Sequence, residues 1–399
     1  MRRRTFLFTL LALMIPLPGA ASNEILRLQL KEGTRVFIRE MKTPSAAFTL
    51  WSRGGSAFET EPGQALLTAR LLNRTLRNRL EARGLDTSPS VCVTSDTSFL
   101  TFQVASSSTE PAMVALGEAL RAPDYSLFER EKARLMAELA RGKKDPLRLA
   151  YGQLLNKAYP SHPYGRALEG NPSNLTVDKL RAYFNRTYQT LSLVAAGGAS
   201  SGTLIGTLAY SFSGVAANAT PSAIPSVVPQ NGTSVLSLEG APASAVALGT
   251  SGPDFGQFRE GVTLEILARL LQNQLQGPKV WWDFRQGPGL FAIAFQGDRT
   301  DVDQWSDRAL IAIENVRNGS IPPLDLSKAQ DEVLASFEEP KQDPGPLSQE
   351  IGRYATLGNL TALDTRAPIV RQITASEVQE VALKYLGPSR MVISKVYKK

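Results

Sequence analysis

This 399-residue sequence predicts an α+β protein of two similar domains, each a mostly antiparallel sheet with helices on one face, and three observations carry the prediction. The first is an internal repeat. Alternating residues from Ala46 to Ser52 lead through Gly54-Gly55 into a helix containing Thr68-Ala69-Arg70-Leu71-Leu72. Ala243 to Thr250 leads in the same way through Gly252 into Leu267-Ala268-Arg269-Leu270-Leu271, 199 residues later. Glu131-Lys132-Ala133 and Ser327-Lys328-Ala329 repeat at a similar separation, so the chain reads as a duplicated unit. The second is the order of apolar patterns, in which runs of strand mix with runs of helix without strict alternation. The third is a change of composition between about Tyr210 and Ser234 to Ser, Ala, Pro, Gly and Asn, with Pro221, Pro225 and Pro229 at every fourth position. Such a stretch reads as a linker.

In the first half the strands are expected at 26–31, 34–40, 46–53 and 91–104, and the helices at about 63–83, 110–121, 126–142, 147–157 and 176–187. Phe99, Thr101 and Gln103 alternate with Leu100, Phe102 and Val104, the period of a strand with a buried face. Leu72, Leu76 and Leu80 recur every fourth residue, a helix stripe that should face a sheet. Leu191 to Ala196 then supplies a short apolar strand ending at Gly197-Gly198. Trp281 and Trp282 should point to opposite faces of an extended segment, one into the core.

The N-terminus reads as a cleaved export signal: Arg2-Arg3-Arg4, an apolar run from Phe6 to Leu17, then Gly19-Ala20-Ala21-Ser22. Arg3-Arg4-Thr5-Phe6-Leu7 also resembles a twin-arginine signal, so both export routes fit. The apolar run is shorter than the roughly 20 residues of a membrane anchor, so no stable transmembrane segment is expected after cleavage. The expected organisation is a signal peptide at 1–22, a domain at 23–209, a linker at 210–235 and a second domain at 236–399, with the bacterial periplasm as the destination.

The formal charge is +7, and removing the three N-terminal arginines lowers it to +4. Charges alternate in sign along the helical segments, which is how solvated faces read and not how a nucleic-acid-binding surface reads. Cys92 is the one cysteine, so no intrachain disulfide is possible and stability must come from core burial. No glycine-rich phosphate loop, Gly-x-Ser-x-Gly elbow or Cys-His pair is present, which leaves nucleotide chemistry and the common nucleophilic hydrolases without support.

Three motifs occur in order in the first half: Gly55-Ser56-Ala57-Phe58-Glu59 followed by Gly63; Glu131 and Glu138, seven apart; and His162-Pro163-Tyr164-Gly165-Arg166, Gly170 and the run from Leu175 to Tyr188. Together with the duplication they resemble the insulinase, pitrilysin and mitochondrial processing peptidase family of zinc metallopeptidases. Active members carry His-x-x-Glu-His on the first helix, because two imidazoles at i and i+4 share one face and the carboxylate between them activates a metal-bound water. Counted from Gly63, those places fall on Leu66, Ala69 and Arg70. Leu66 has no lone pair, Ala69 offers no base, and Arg70 puts a permanent positive charge where a cation would sit.

By the same resemblance Glu138 matches the third zinc ligand and Glu131 its companion. They are either a remnant of a catalytic site or ordinary helix carboxylates, Glu138 then pairing with Arg70. His162, the one histidine, precedes Pro163 in a turn and corresponds to a structural histidine. In the second half Arg285, followed by Gly289-Leu290, matches an arginine that helps hold the substrate peptide, whereas the tyrosine seven residues on is Ala292; the alternative is a strand arginine paired to solvent or to an acidic neighbour. No metal and no cofactor are expected. The resemblance implies two halves facing each other across a chamber, with this chain as the inactive partner subunit of a zinc-bearing homologue in a hetero-oligomer that receives peptides. A stand-alone peptide-binding or scaffold protein, and a peptidase with unrecognised chemistry, are the alternatives.

Overall fold

The computed structural model describes residues 25–215 and 223–399; the expected signal at 1–22 and residues 216–222 of the expected linker lie outside the described residues. The first half runs β1 (Leu26–Gln29), β2 (Arg35–Glu40), β3 (Ser45–Ser52), α1 (Gln64–Glu81), β4 (Ser90–Val93), β5 (Ser98–Ala105), α2 (Thr109–Arg121), α3 (Phe128–Gly142), α4 (Pro146–Ala158), α5 (Val177–Thr187), β6 (Leu191–Gly197) and α6 (Ser201–Ser211). The second runs β7 (Gly232–Leu238), β8 (Ser244–Ser251), α7 (Phe258–Leu275), β9 (Lys279–Asp283), β10 (Leu290–Gly297), α8 (Arg299–Arg317), α9 (Pro323–Glu338), α10 (Pro344–Leu357), α11 (Ala362–Gln372), α12 (Ala375–Tyr385) and β11 (Val392–Lys398). The stretch expected as a linker at 210–235 includes the last turn of α6 and the start of β7.

The sheets are ordered β1-β2-β6-β3-β5-β4 and β7-β11-β8-β10-β9. Only β2 with β6 and β7 with β11 pair in parallel, so both sheets are largely antiparallel. The duplication extends to the helix starts. Asp145 caps α4 ahead of Pro146, and Asp343 caps α10 ahead of Pro344; Thr176 caps α5 and Thr374 caps α12. Each of these side chains accepts a backbone N–H that the first turn would otherwise leave unpaired.

Alternation decides which face each strand residue covers. Leu100, Phe102 and Val104 are buried with Leu72, Leu76 and Leu80 of α1, while Trp282 joins the core under α7 and Trp281 faces the other side. The expected continuous strand at 91–104 is instead a hairpin of β4 and β5. Thr94 and Thr97 close its turn, with the Thr94 N–H bonded to the Thr97 carbonyl at 2.8 Å.

Helices cover both faces of each sheet and not one face only. The second layer is exchanged between the halves: α4 of the first half lies on β8 and β11, and α10 of the second half lies on β3 and β6. Small residues make the close approach possible. Ala245, Ala247, Ala292 and Ala294 form the floor under α4. Under α10, Thr49 shares a 2.6 Å hydrogen bond with Ser348, and Gly352 sits so close to the Trp51 indole that a methyl group there would overlap it. No described helix is long and apolar enough to cross a membrane.

Candidate functional site: the degenerate zinc helix

Helix α1 is held in place by the motif residues. Gly63, at φ 99°, donates its N–H to Glu59 Oε2 at 3.1 Å, and the Ala65 N–H reaches Glu59 Oε1 at 2.7 Å, so one carboxylate serves the first turn. Burial pushes the Glu59 pKa up to about 7 against the pull of those N–H groups and of Arg166. Arg166 Nη1 donates to the Glu59 carbonyl at 3.3 Å. Gly170 packs so tightly on the Pro62-Gly63 backbone that no side chain fits. Lys179 pairs with Glu61 at 2.7 Å, and the Gln64 amide donates to the Lys179 carbonyl. Together these contacts fix the position of the first turn of α1.

The residues on that helix do not fit a zinc ion. Leu66 and Ala69 have no donor atom, and Arg70 Nη2 donates to Glu138 Oε2 on α3 at 2.6 Å. Hydrogen bonding to Arg70 holds the Glu138 carboxyl below its ordinary range, assisted by Arg134 and Arg141. Glu131, buried on the same helix, faces Arg74 at 3.5 Å and Arg130 at 3.8 Å. Leu66, Arg70, Leu135 and Glu138 line a cavity of about 300 Å³, so the pocket survives while its chemistry is that of an ion pair. Among the described residues, no group of three or more His, Cys, Asp or Glu side chains is arranged to hold a metal.

The histidine turn joins the two halves. His162 Nδ1 accepts the Tyr164 N–H at 3.1 Å, which leaves the hydrogen of the neutral ring on Nε2, 3.0 Å from the Pro225 carbonyl. Tyr164 donates to Asp96 and accepts the Gly287 N–H, and Tyr159 donates to the Gly289 carbonyl at 2.6 Å.

Arg285 closes this junction and pairs with an acidic neighbour, the alternative that the sequence left open for it. It follows β9 and is only 5% exposed, with Nε on Asp283 at 2.8 Å and its guanidinium over the rings of Tyr159 and Tyr164 at 5.2 and 5.0 Å. An arginine freely presented to a peptide is not what the structure contains. It lines a cavity of about 330 Å³ with Trp51, Asp96, Asp283, Glu350 and Arg353. The tyrosine cage comes from residues more than a hundred positions away, so no local signal marks it.

No protein-family model and no curated protein matches this sequence. Solved structures do match its fold. A peptidase M16 inactive domain from Pseudomonas fluorescens superposes with a TM-score of 0.82 at 19% identity, over 94% of this chain and 98% of that one. A protease from Helicobacter pylori gives 0.82 at 17%, over 93% and 99%. An M16-like peptidase from Alicyclobacillus acidocaldarius gives 0.79 at 16%, over 94% and 98%. The chain has the fold of the M16, or insulinase-type, peptidases. On helix α1 of this fold the positions Leu66, Ala69 and Arg70 offer no zinc-ligating side chain.

Proposed function

We propose that this chain is an exported, non-catalytic insulinase-type protein that completes the peptide chamber of a zinc-bearing homologue. One observation carries the reading. The scaffold around α1 is intact, yet an Arg70–Glu138 ion pair occupies the place where the fold would hold a cation. A guanidinium bonded to the third-ligand position excludes zinc by charge as well as by the loss of donors. In such an assembly the homologue performs the hydrolysis, and this chain supplies chamber wall and peptide contacts. In the cavity beside the junction Arg285 is already held by Asp283, so Arg353 is the guanidinium left to meet a peptide carbonyl there.

A second reading, a stand-alone peptide-binding protein, rests on β4. That strand ends the first sheet beside the degenerate site, and an extended peptide can add to such an edge through main-chain bonds. Light scattering and peptidase assays on the purified chain mixed with a zinc-bearing homologue from the same organism separate the readings. Association with a raised peptidase rate is expected. Failure to associate, with the rate unchanged, favours the stand-alone binder, and cleavage by this chain alone would mean that it has chemistry of its own.

A further inference from the structure

The second sheet ends on β7, with seven residues the longest of the four edge strands, and its sequence Gly-Thr-Ser-Val-Leu-Ser-Leu contains no charge and no proline. Edge strands normally carry such groups because an open row of N–H and C=O groups invites another strand. The Gly232 N–H bonds the Met391 carbonyl at 3.2 Å, and the Leu238 carbonyl accepts the Lys399 N–H at 3.2 Å. In a parallel pair the N–H and C=O of one residue point the same way, so Gly232, Ser234, Leu236 and Leu238 face β11. Thr233, Val235 and Ser237 then direct theirs outward. The Thr233 carbonyl is taken by Lys157 Nζ at 3.1 Å, whereas Val235 is 61% exposed.

Beside this edge runs a groove of about 960 Å³, walled by Met136, Leu139, Leu149, Leu168 and the outer side of α4 and reaching Ser234 of β7. Its lining is mostly apolar. Two lysines bracket the strand: Lys157 at Thr233, and Lys144, whose Nζ lies 3.0 Å from the position a Cβ would take on Gly240. Lys143 adds a third exposed ammonium on the groove wall, while Arg148 is already paired with Glu169 at 3.5 Å. The exposed carboxylate of Glu239 follows the strand at the Lys144 end, but Lys143, Lys144 and Lys157 outnumber it, and this net positive charge around an uncharged edge favours an occupant with negative charge at its ends.

We propose that the edge of β7 and the groove beside α4 form a docking site for an extended peptide that is apolar in the middle and acidic at both ends. At about 3.3 Å per residue, the strand between the two lysines is matched by acidic groups six or seven positions apart. The peptide pairs with Val235 and Ser237, sends alternate side chains into the groove, and places its carboxylates at Lys144 and Lys157. This site is separate from the chamber role proposed above and needs no homologue.

The test uses the full chain and two fluorescent peptides of alternating Val and Thr, one flanked by Asp and the other by Lys, followed by anisotropy. The Asp-flanked peptide should bind about tenfold tighter or better, with the preference shrinking at high salt. Val235→Pro removes one outward N–H where an edge strand tolerates proline, and should weaken binding about tenfold without lowering the thermal midpoint appreciably. Lys144→Glu with Lys157→Glu should reverse the preference. Because a proline variant can still perturb the strand, hydrogen exchange on the unmodified chain gives a second reading: the Val235 and Ser237 amides should slow when the Asp-flanked peptide is added. Equal or absent binding of the two peptides, or unprotected amides, would overturn the proposal. So would a concentration-dependent dimer abolished by Val235→Pro, which would assign the edge to a second copy of this chain.

Discussion

Arg70 on α1 and Glu138 on α3 form a 2.6 Å ion pair, with 22% and 36% of their side chains exposed, on the wall of a cavity of about 300 Å³. Their partial exposure limits the contribution of the pair to stability, to roughly 0–1 kcal/mol. Its larger consequence is a fixed positive charge on the cavity wall, which disfavours any cation there.

Replacing three residues of α1 should create a zinc site. Leu66→His, Ala69→Glu and Arg70→His together place two imidazoles on one face of α1 with Glu138 opposite, so the triple variant should take up zinc measurably in titration calorimetry, and the unmodified chain should retain no stoichiometric zinc by elemental analysis. Affinity should be low, since the groups that would orient the new imidazoles are not in place. A folded triple variant that binds no zinc at high metal concentration would show that Leu66, Ala69, Arg70 and Glu138 do not converge as described.

Glu59 should make the chain less stable as pH rises. Burial raises its folded pKa to about 7, above the ordinary value of 4.5, so its contribution is fully present below pH 4.5 and is lost as pH climbs through 7. Glu59→Gln should remove that dependence, as measured by urea midpoints between pH 4.5 and 8.

His162 should act in the opposite sense. Burial lowers its folded pKa below 6.5, against the pull of the Pro225 carbonyl and with help from the Arg285 charge. The folded state therefore loses stability as pH falls below 6.5. His162→Asn retains an acceptor for the Tyr164 N–H and should abolish this loss in the same urea series. Only the single variants separate it from the Glu59 effect.

Arg285→Ala should destabilise the protein by about 2–4 kcal/mol in chemical denaturation, since it strips a buried cation from two tyrosine faces and leaves Asp283 unpaired. An unchanged midpoint would mean that the cage contributes little to the junction between the halves.

Much of this was legible in the sequence because the determinants are local. Period-two alternation at Phe99 to Val104 and the stripe Leu72, Leu76, Leu80 lead directly to β5 and α1, and the family resemblance, counted from Gly63, implied that Arg70 could face Glu138. Helix α6 was not expected: Ser-Gly-Thr-Leu-Ile-Gly-Thr carries two glycines and no charge, and it is packing of Leu204 and Leu208 that stabilises it. The exchange of α4 and α10 was invisible for a different reason. An apolar stripe states that a helix must be buried and says nothing about which sheet buries it. The placement of Arg285 depends likewise on Tyr159 and Tyr164, far away along the chain.

The traded helices make the two halves thermodynamically inseparable. If the chain were cut within 216–222, the first fragment would keep α4 with no alanine floor to lie on, and the second would keep α10 with no Trp51 or Thr49 beneath it. Each fragment would expose one bare sheet face, so neither is a folding unit, and the cut pieces can complete themselves only by finding each other. Unfolding should accordingly proceed as a single transition across the whole chain, although its sequence is written as two copies of one pattern.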